Sequence, residues 1–65
     1  MLDYVVIASF PEHGEIALSM LVSCDGSKED VEALVARDGF RVKSVRAATT
    51  DDLSKVRSYA DVKNS

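Results

Sequence analysis

The stretch from Ser27 to Val45 constrains the fold most, because a helix start, an apolar helix face, a helix stop and a strand follow one another within it. Ser27 is suited to the N-cap position, and Asp30 stands three residues later, where it completes a capping box. Gly39 supplies the left-handed residue that commonly follows a helix. The pattern predicts a helix over 27–38 and a strand over 40–45, with an apolar helix stripe made by Val31, Leu34 and Val35.

Two strands are predicted before this helix. Residues 2–10 are rich in β-branched and aromatic side chains and apolar on both faces, which is typical of a central strand. Residues 15–24 alternate so that one face is more apolar, and a turn containing Pro11 and Gly14 precedes them. A threonine at 49 or 50 followed by two aspartates predicts a last helix over 50–61. Its sparse apolar stripe consists of Leu53, Val56, Tyr59 and Ala60.

The order strand–strand–helix–strand predicts a single α+β domain over residues 1–65. A hairpin joins the first two strands, and the helical crossover makes the third strand antiparallel to the first. The expected architecture is a three-stranded antiparallel sheet of order 2-1-3 (ββαβ) with one helix packed on it and a short C-terminal helix. The second face of the sheet also needs a cover, for which the C-terminal helix, a second copy and a partner protein are the alternatives.

The composition narrows the class of protein. The chain has 65 residues and one cysteine, so neither an internal disulfide nor a thiolate zinc cluster can form within one chain. An unpaired Cys24 fits a reducing compartment. The first residues lack the basic start and cleavage site of a signal peptide, and no apolar run approaches the ~18 residues of a membrane span. We therefore expect a cytoplasmic protein that does not enter the membrane.

Candidate catalytic groups are few. His13 and Cys24 resemble a base–nucleophile pair in type alone, because they stand at opposite ends of the second strand, about 30 Å apart along an extended chain. The acidic residues of the helix start are explained by capping and the helix dipole. The glycines are single and widely spaced, unlike those of a phosphate-binding loop. We expect no enzyme, with no catalytic residue, cofactor-binding residue or metal ligand.

Charge is distributed unevenly along the chain. Residues 1–38 carry eight acidic and two basic residues, whereas residues 39–65 carry three acidic and six basic ones, within a net charge of −3. Three cations fall within the third strand and its end, where the alternation slips at residues 44–45 and predicts a bulge or the strand's end. The predicted partner-binding residues are Arg41, Lys43 and Arg46. The alternative is that these cations only protect a strand edge from aggregation.

Two segments carry a resemblance to a known family. Glu12-His13-Gly14 before a strand and a capped helix, and then residues 39–46 (GFRVKSVR), resemble the small bacteriophage T7-type early inhibitors of host bacterial RNA polymerase. The resemblance implies a three-stranded sheet with one helix, and binding to the jaw of the polymerase largest subunit through basic residues of the last strand. Arg46 matches one functional arginine of the family, and Ser44 stands where the other is expected, so Arg41 and Lys43 would have to compensate.

The resemblance leaves several functions open. The C-terminal helix has no counterpart in that family, and the N-terminal modules of bacterial type II secretion inner-membrane proteins share the same hairpin–helix–strand pattern. From the basic strand we predict a small non-enzymatic domain, such as a phage inhibitor of a host protein, that binds another protein and acts by occlusion. The alternatives are a nucleic-acid-binding module and a structural homodimer or assembly subunit. The net negative charge disfavours nucleic acid.

Overall fold

The elements of the chain follow the predicted order. The computed structural model describes residues 2–14 and 16–64, so the predicted second-strand start at Glu15 lies outside the described residues. Strands β1 and β2 are joined by a short 3₁₀ turn, and helix α1 leads into strand β3. Two further helices, α2 and α3, follow it. The bounds are Leu2–Ser9 (β1), Pro11–His13 (3₁₀ turn), Ala17–Cys24 (β2), Lys28–Arg37 (α1), Arg41–Ala47 (β3), Thr50–Lys55 (α2) and Tyr59–Lys63 (α3).

Strand β1 lies at the centre of the sheet, as predicted. The strand order is β2-β1-β3, and β1 is antiparallel to both neighbours. Side chains alternate across a strand, so adjacent residues of β1 point to opposite faces. Val5 and Val6 are only 1% and 0% exposed. Both faces of the central strand are therefore covered, which explains why its sequence is apolar throughout.

Helix α1 covers one face of the sheet, which we call the helix face. Val31 and Val35 are fully buried there, whereas Leu34, the third member of the predicted stripe, is half-buried. The helix begins where predicted, since the Ser27 N–H donates to Oδ2 of Asp30 at 2.9 Å. The core cluster of the helix face consists of Tyr4, Val6, Ala8, Met20, Val22, Val31 and Val35.

The predicted bulge is present in β3. The register with β1 shifts between Ile7, which pairs with Ser44, and Ala8, which pairs with Val42. Lys43 is thus the extra residue of the bulged strand. Because of this insertion, Val42 and Val45 both pack against the core cluster although they are three residues apart. The bulge therefore explains the slip in alternation, and the strand continues to Ala47 rather than ending at 45.

The prediction of one continuous helix over 50–61 is wrong. The segment forms two short helices, because residues 56–58 are extended or capping residues between α2 and α3. The extension allows the Leu21 N–H of β2 to donate to the Arg57 carbonyl at 2.8 Å. Ser58 forms an isolated parallel bridge to the same residue of β2. A tertiary hydrogen bond at the sheet edge has overridden the helical pattern of the sequence.

As a result, the last segment wraps around the sheet. Arg46 pairs with Val5 across the sheet, so it lies on the face opposite α1, which we call the second face, and there it binds Asp52 of α2. Tyr59 and Val62 of α3, in contrast, pack against the core of the helix face. The predicted stripe is not one continuous face, since Leu53 is 52% exposed. We call residues 48–63 the C-terminal strap.

The strap is anchored at the end of α1. The Tyr59 hydroxyl donates to the Asp38 carboxylate, and the Lys63 ammonium lies 3.2 Å from the same carboxylate. The Tyr59 and Phe40 rings meet edge to face, with centroids 5.9 Å apart. These bonds hold the pKa of Asp38 below its usual value, because the Tyr59 hydroxyl and then Lys63 stabilise the charged carboxylate.

The burial of the α1 stripe predicts a large effect of one small deletion. Val35→Ala removes two methyl groups from a fully buried site, which we expect to lower the free energy of unfolding by about 2 kcal/mol. That is a large share of the roughly 3–5 kcal/mol available to so small a domain. Urea unfolding followed by circular dichroism measures the change. Glu32→Ala on the exposed side of α1 is the matched control, and equal stabilities for the two variants would contradict this packing.

Candidate functional site

The basic strand presents two arginines on one face of the sheet. Arg41 pairs with Ser9 and Arg46 pairs with Val5, and cross-strand partners share a face. Both arginines therefore lie on the second face, opposite α1. Their partners are four residues apart on β1, which separates the two positions by about 13 Å along the strands. Lys43 is exposed at the bulge between them.

Arg46 is held in a specific place. Its Nη1 and Nη2 donate to the two carboxylate oxygens of Asp52 at 2.7 and 3.1 Å. Such bidentate pairs fix the plane of the guanidinium as well as its position. The same carboxylate accepts from the Thr49 N–H at 2.8 Å and so caps α2. Hydrogen bonds from Arg46 and then from the Thr49 backbone hold the pKa of the Asp52 carboxyl far below its usual range.

The guanidinium of Arg46 also contacts the strand edge. Its Nη1 lies 3.3 Å from the carbonyl oxygen of Ala47. That carbonyl points away from β1, because the next N–H along the chain, that of Ala48, is the one that donates to Asp3. Arg46 therefore shields part of the outer edge of β3 while about half of its side chain stays exposed. It is a structural residue as well as a candidate contact residue.

The three predicted partner-binding residues therefore differ in their positions and surroundings. Arg41 and Arg46 share the second face, and Lys43 stands between them as the bulge residue. Arg46 has an internal carboxylate partner, which the sequence interpretation did not include. The Asp52 carboxylate therefore offsets part of the charge that Arg46 presents to another molecule.

The two candidate catalytic residues stay apart. The 3₁₀ turn that contains His13 precedes β2, and Cys24 is the last residue of that strand. Cys24 is half-buried against the core cluster, and its Sγ accepts from the Gly26 N–H at 3.3 Å. Asp30 is occupied as the capping residue of α1. These contacts assign structural roles to Cys24 and Asp30.

An apolar groove was missed by the sequence interpretation. It has a volume of about 440 Å³ and lies beside the start of β2, where α3 approaches the end of α1. Ile16 and Leu18 are 68% and 40% exposed at its mouth, although their alternation predicted an inward face. The signal that could have found it is the run of uncharged residues in β2. The groove is lined by Phe10, Ile16, Leu18, Asp38, Phe40, Val62 and Lys63.

Comparison with known proteins adds no identification. No family model matches the chain, and neither a curated protein nor a solved structure is significantly similar to it. In residues 2–14 and 16–64, no helix is long and apolar enough to span a membrane. The same part of the chain has no group of three or more His, Cys, Asp or Glu side chains arranged to hold a metal ion. The likeness to phage polymerase inhibitors stays a prediction from sequence.

The Arg46–Asp52 pair predicts how stability depends on pH. A carboxyl whose pKa is lowered by folding stabilises the folded state above its unfolded pKa of about 3.9, and this contribution is lost as the pH falls from there toward the folded pKa. We expect the free energy of unfolding to decrease below about pH 4. Asp52→Asn should flatten this decrease, because the amide cannot titrate.

Urea unfolding at a series of pH values between about 2 and 7 measures the effect. Asp51→Asn is the matched control, because Asp51 is exposed and its ammonium partner Lys55 is 3.7 Å away. It should leave more of the pH dependence in place than Asp52→Asn does. If both variants follow the wild-type curve, the Asp52 pair does not contribute to folding.

Proposed function

We propose that this chain is a protein-binding domain that places the second-face side of β3 against an acidic surface of another cytoplasmic protein and acts by occlusion, without catalysis or a cofactor. The observation that supports this most is the arrangement of Arg41 and Arg46 on one sheet face, with Arg46 fixed by Asp52. A guanidinium that is already oriented loses less conformational entropy when it binds.

The position of the opposite charges also favours a protein partner. Glu29, Asp30 and Glu32 lie on exposed positions of α1, which packs on the helix face, whereas Arg41 and Arg46 lie on the second face. Because α1 also contains two basic residues, its surface is only slightly acidic, whereas the two arginines belong to the second face. Such a distribution orients the domain toward an acidic partner and speeds the encounter at low ionic strength.

The aromatic residues disfavour the nucleic-acid alternative. Single-stranded nucleic acids are usually bound by exposed rings on which bases stack. Tyr4 is buried here, and Phe10, Phe40 and Tyr59 are half-buried. Phe40 contacts both of the other half-buried rings, at centroid distances of 5.0 and 5.9 Å. The four aromatic residues, all of which lie in the described part of the chain, thus serve packing, and none of them offers β3 a fully exposed ring for stacking.

Bacterial RNA polymerase is the first target to test, because of the likeness of residues 39–46 to the phage inhibitors. We expect Arg41→Glu with Lys43→Glu to weaken binding of the purified polymerase to the immobilised chain by about 30-fold or more, since losing a central cation costs about 2 kcal/mol. This pair of changes leaves the Arg46–Asp52 contact intact. Circular dichroism and thermal unfolding verify that the variant is folded.

The control for that experiment is Lys28→Glu with Lys55→Glu, which changes the net charge equally but lies outside β3. It should retain binding. Equal binding by both double variants would show that β3 is not the contact. If the wild-type chain does not bind the polymerase, the immobilised chain is used to capture proteins from a bacterial lysate. Proteins that the Arg41→Glu/Lys43→Glu variant also captures are discounted, and a protein bound by wild type alone is another acidic target. A capture in which both lanes are identical would contradict the basic-strand mechanism.

A further inference from the structure

The two edges of the sheet are protected to different degrees. The β3 edge has a bulge, three cations nearby and the Arg46 guanidinium on the Ala47 carbonyl, all of which hinder strand addition. The β2 edge is covered by the C-terminal strap at Leu21. Residues 16–24 contain no charged side chain. The segment from Ile16 to Met20 is therefore an apolar edge without these protective features.

The hydrogen-bonding groups of this segment point outward. The Leu21 N–H donates to the Arg57 carbonyl, so the backbone N–H and C=O groups of Leu21 point away from β1. Along an antiparallel strand, the backbone groups of successive residues alternate in direction. The N–H and C=O groups of Ala17 and Ser19 therefore also point away from β1. Both residues are exposed. Among the described residues, no backbone–backbone hydrogen bond to these two groups is present at the outer edge.

We propose that the Ile16–Met20 edge is a self-association site, at which β2 of a second copy pairs in antiparallel orientation and extends the sheet across a two-fold axis. Centred on Leu18, this pairing places Ala17 opposite Ser19 of the other copy, and their backbones form about four hydrogen bonds. Leu18 of each copy then lies opposite Leu18 of the other, at the mouths of the two apolar grooves. This inference uses the edge opposite to β3 and does not depend on the proposed function.

A second copy fits this edge better than a charged partner does. The Asp38 and Lys63 side chains at the groove are already paired at 3.2 Å, so the groove does not select an ion. An uncharged apolar strand is complementary to it, and two-fold pairing requires such a strand on both sides. Pairing through β3 would instead oppose cations to cations. The short edge predicts a weak, concentration-dependent dimer rather than an obligate one.

Sedimentation equilibrium on the full chain tests the proposal. From about 10 µM to about 1 mM we expect the mass to rise from 7.1 kDa toward twice that value, a range typical of small transient interfaces. Leu18→Lys places a charge at the pairing centre and should keep the chain monomeric. Hydrogen exchange should show slower exchange of the Ala17 and Ser19 amides at the higher concentration only.

Ala17→Pro tests the backbone contribution separately, because it removes an outward N–H at the first residue of a strand, where proline is tolerated. It should weaken the dimer at least tenfold. Ala47→Pro is the matched control on the other edge, since the Ala47 N–H also points outward, and it should dimerise like wild type. A monomeric wild type, or unchanged dimerisation by folded Leu18→Lys or Ala17→Pro, would overturn the proposal.

Discussion

The structure depends on the burial of β1 on both faces. Val5 and Val6 are consecutive residues that point in opposite directions, and both are almost completely removed from solvent. A chain of this size can bury only about 60% of the surface exposed when it unfolds. In the described part of the chain, four of the eight buried hydrophobic residues belong to β1. Helix α1 covers one side with Val31 and Val35. The positions of β2 and β3 on either side of β1 follow from the same requirement.

Electrostatic contacts have a supporting role in this arrangement. Asp52 and Asp38 each bind more than one group of other residues, and each joins the strap to an earlier element. These pairs lie at the surface, where water and salt weaken them. Their contribution is to choose where the strap lies rather than to supply the bulk of the stability. Arg46 shows this positioning role most clearly, because its guanidinium holds α2 through Asp52 while about half of its side chain stays exposed to solvent.

Features with local signals could be predicted from sequence. The capping box of Ser27 and Asp30 marked the start of α1, and Gly39, whose φ is 98°, marked its end. The strand order followed from the apolar character of β1. In each case, residues within a few positions of one another carry the information, and the tertiary structure agrees with them.

Features that depend on distant contacts could not be predicted. The helical pattern after Thr49 continues through Val56, but the hydrogen bond between Leu21 and Arg57 makes the chain extended there. The partner of Arg46 is six residues away across a turn, so the sequence shows a cation without its carboxylate. The exposure of Ile16 is also invisible in the pattern, because alternation indicates a face but not whether anything covers it.

The central position of β1 has a consequence for the order in which the structure forms. Its hairpin partner β2 is close in sequence, whereas its other neighbour, β3, begins more than thirty residues after β1 ends. Closing the longer loop costs more chain entropy, so the hairpin forms more readily than the pairing with β3. Until β3 arrives, the hairpin has an apolar strand at its edge, including the backbone groups of Val5 and Ile7. The rate of β3 docking therefore sets how long the folding chain can pair with the wrong strand.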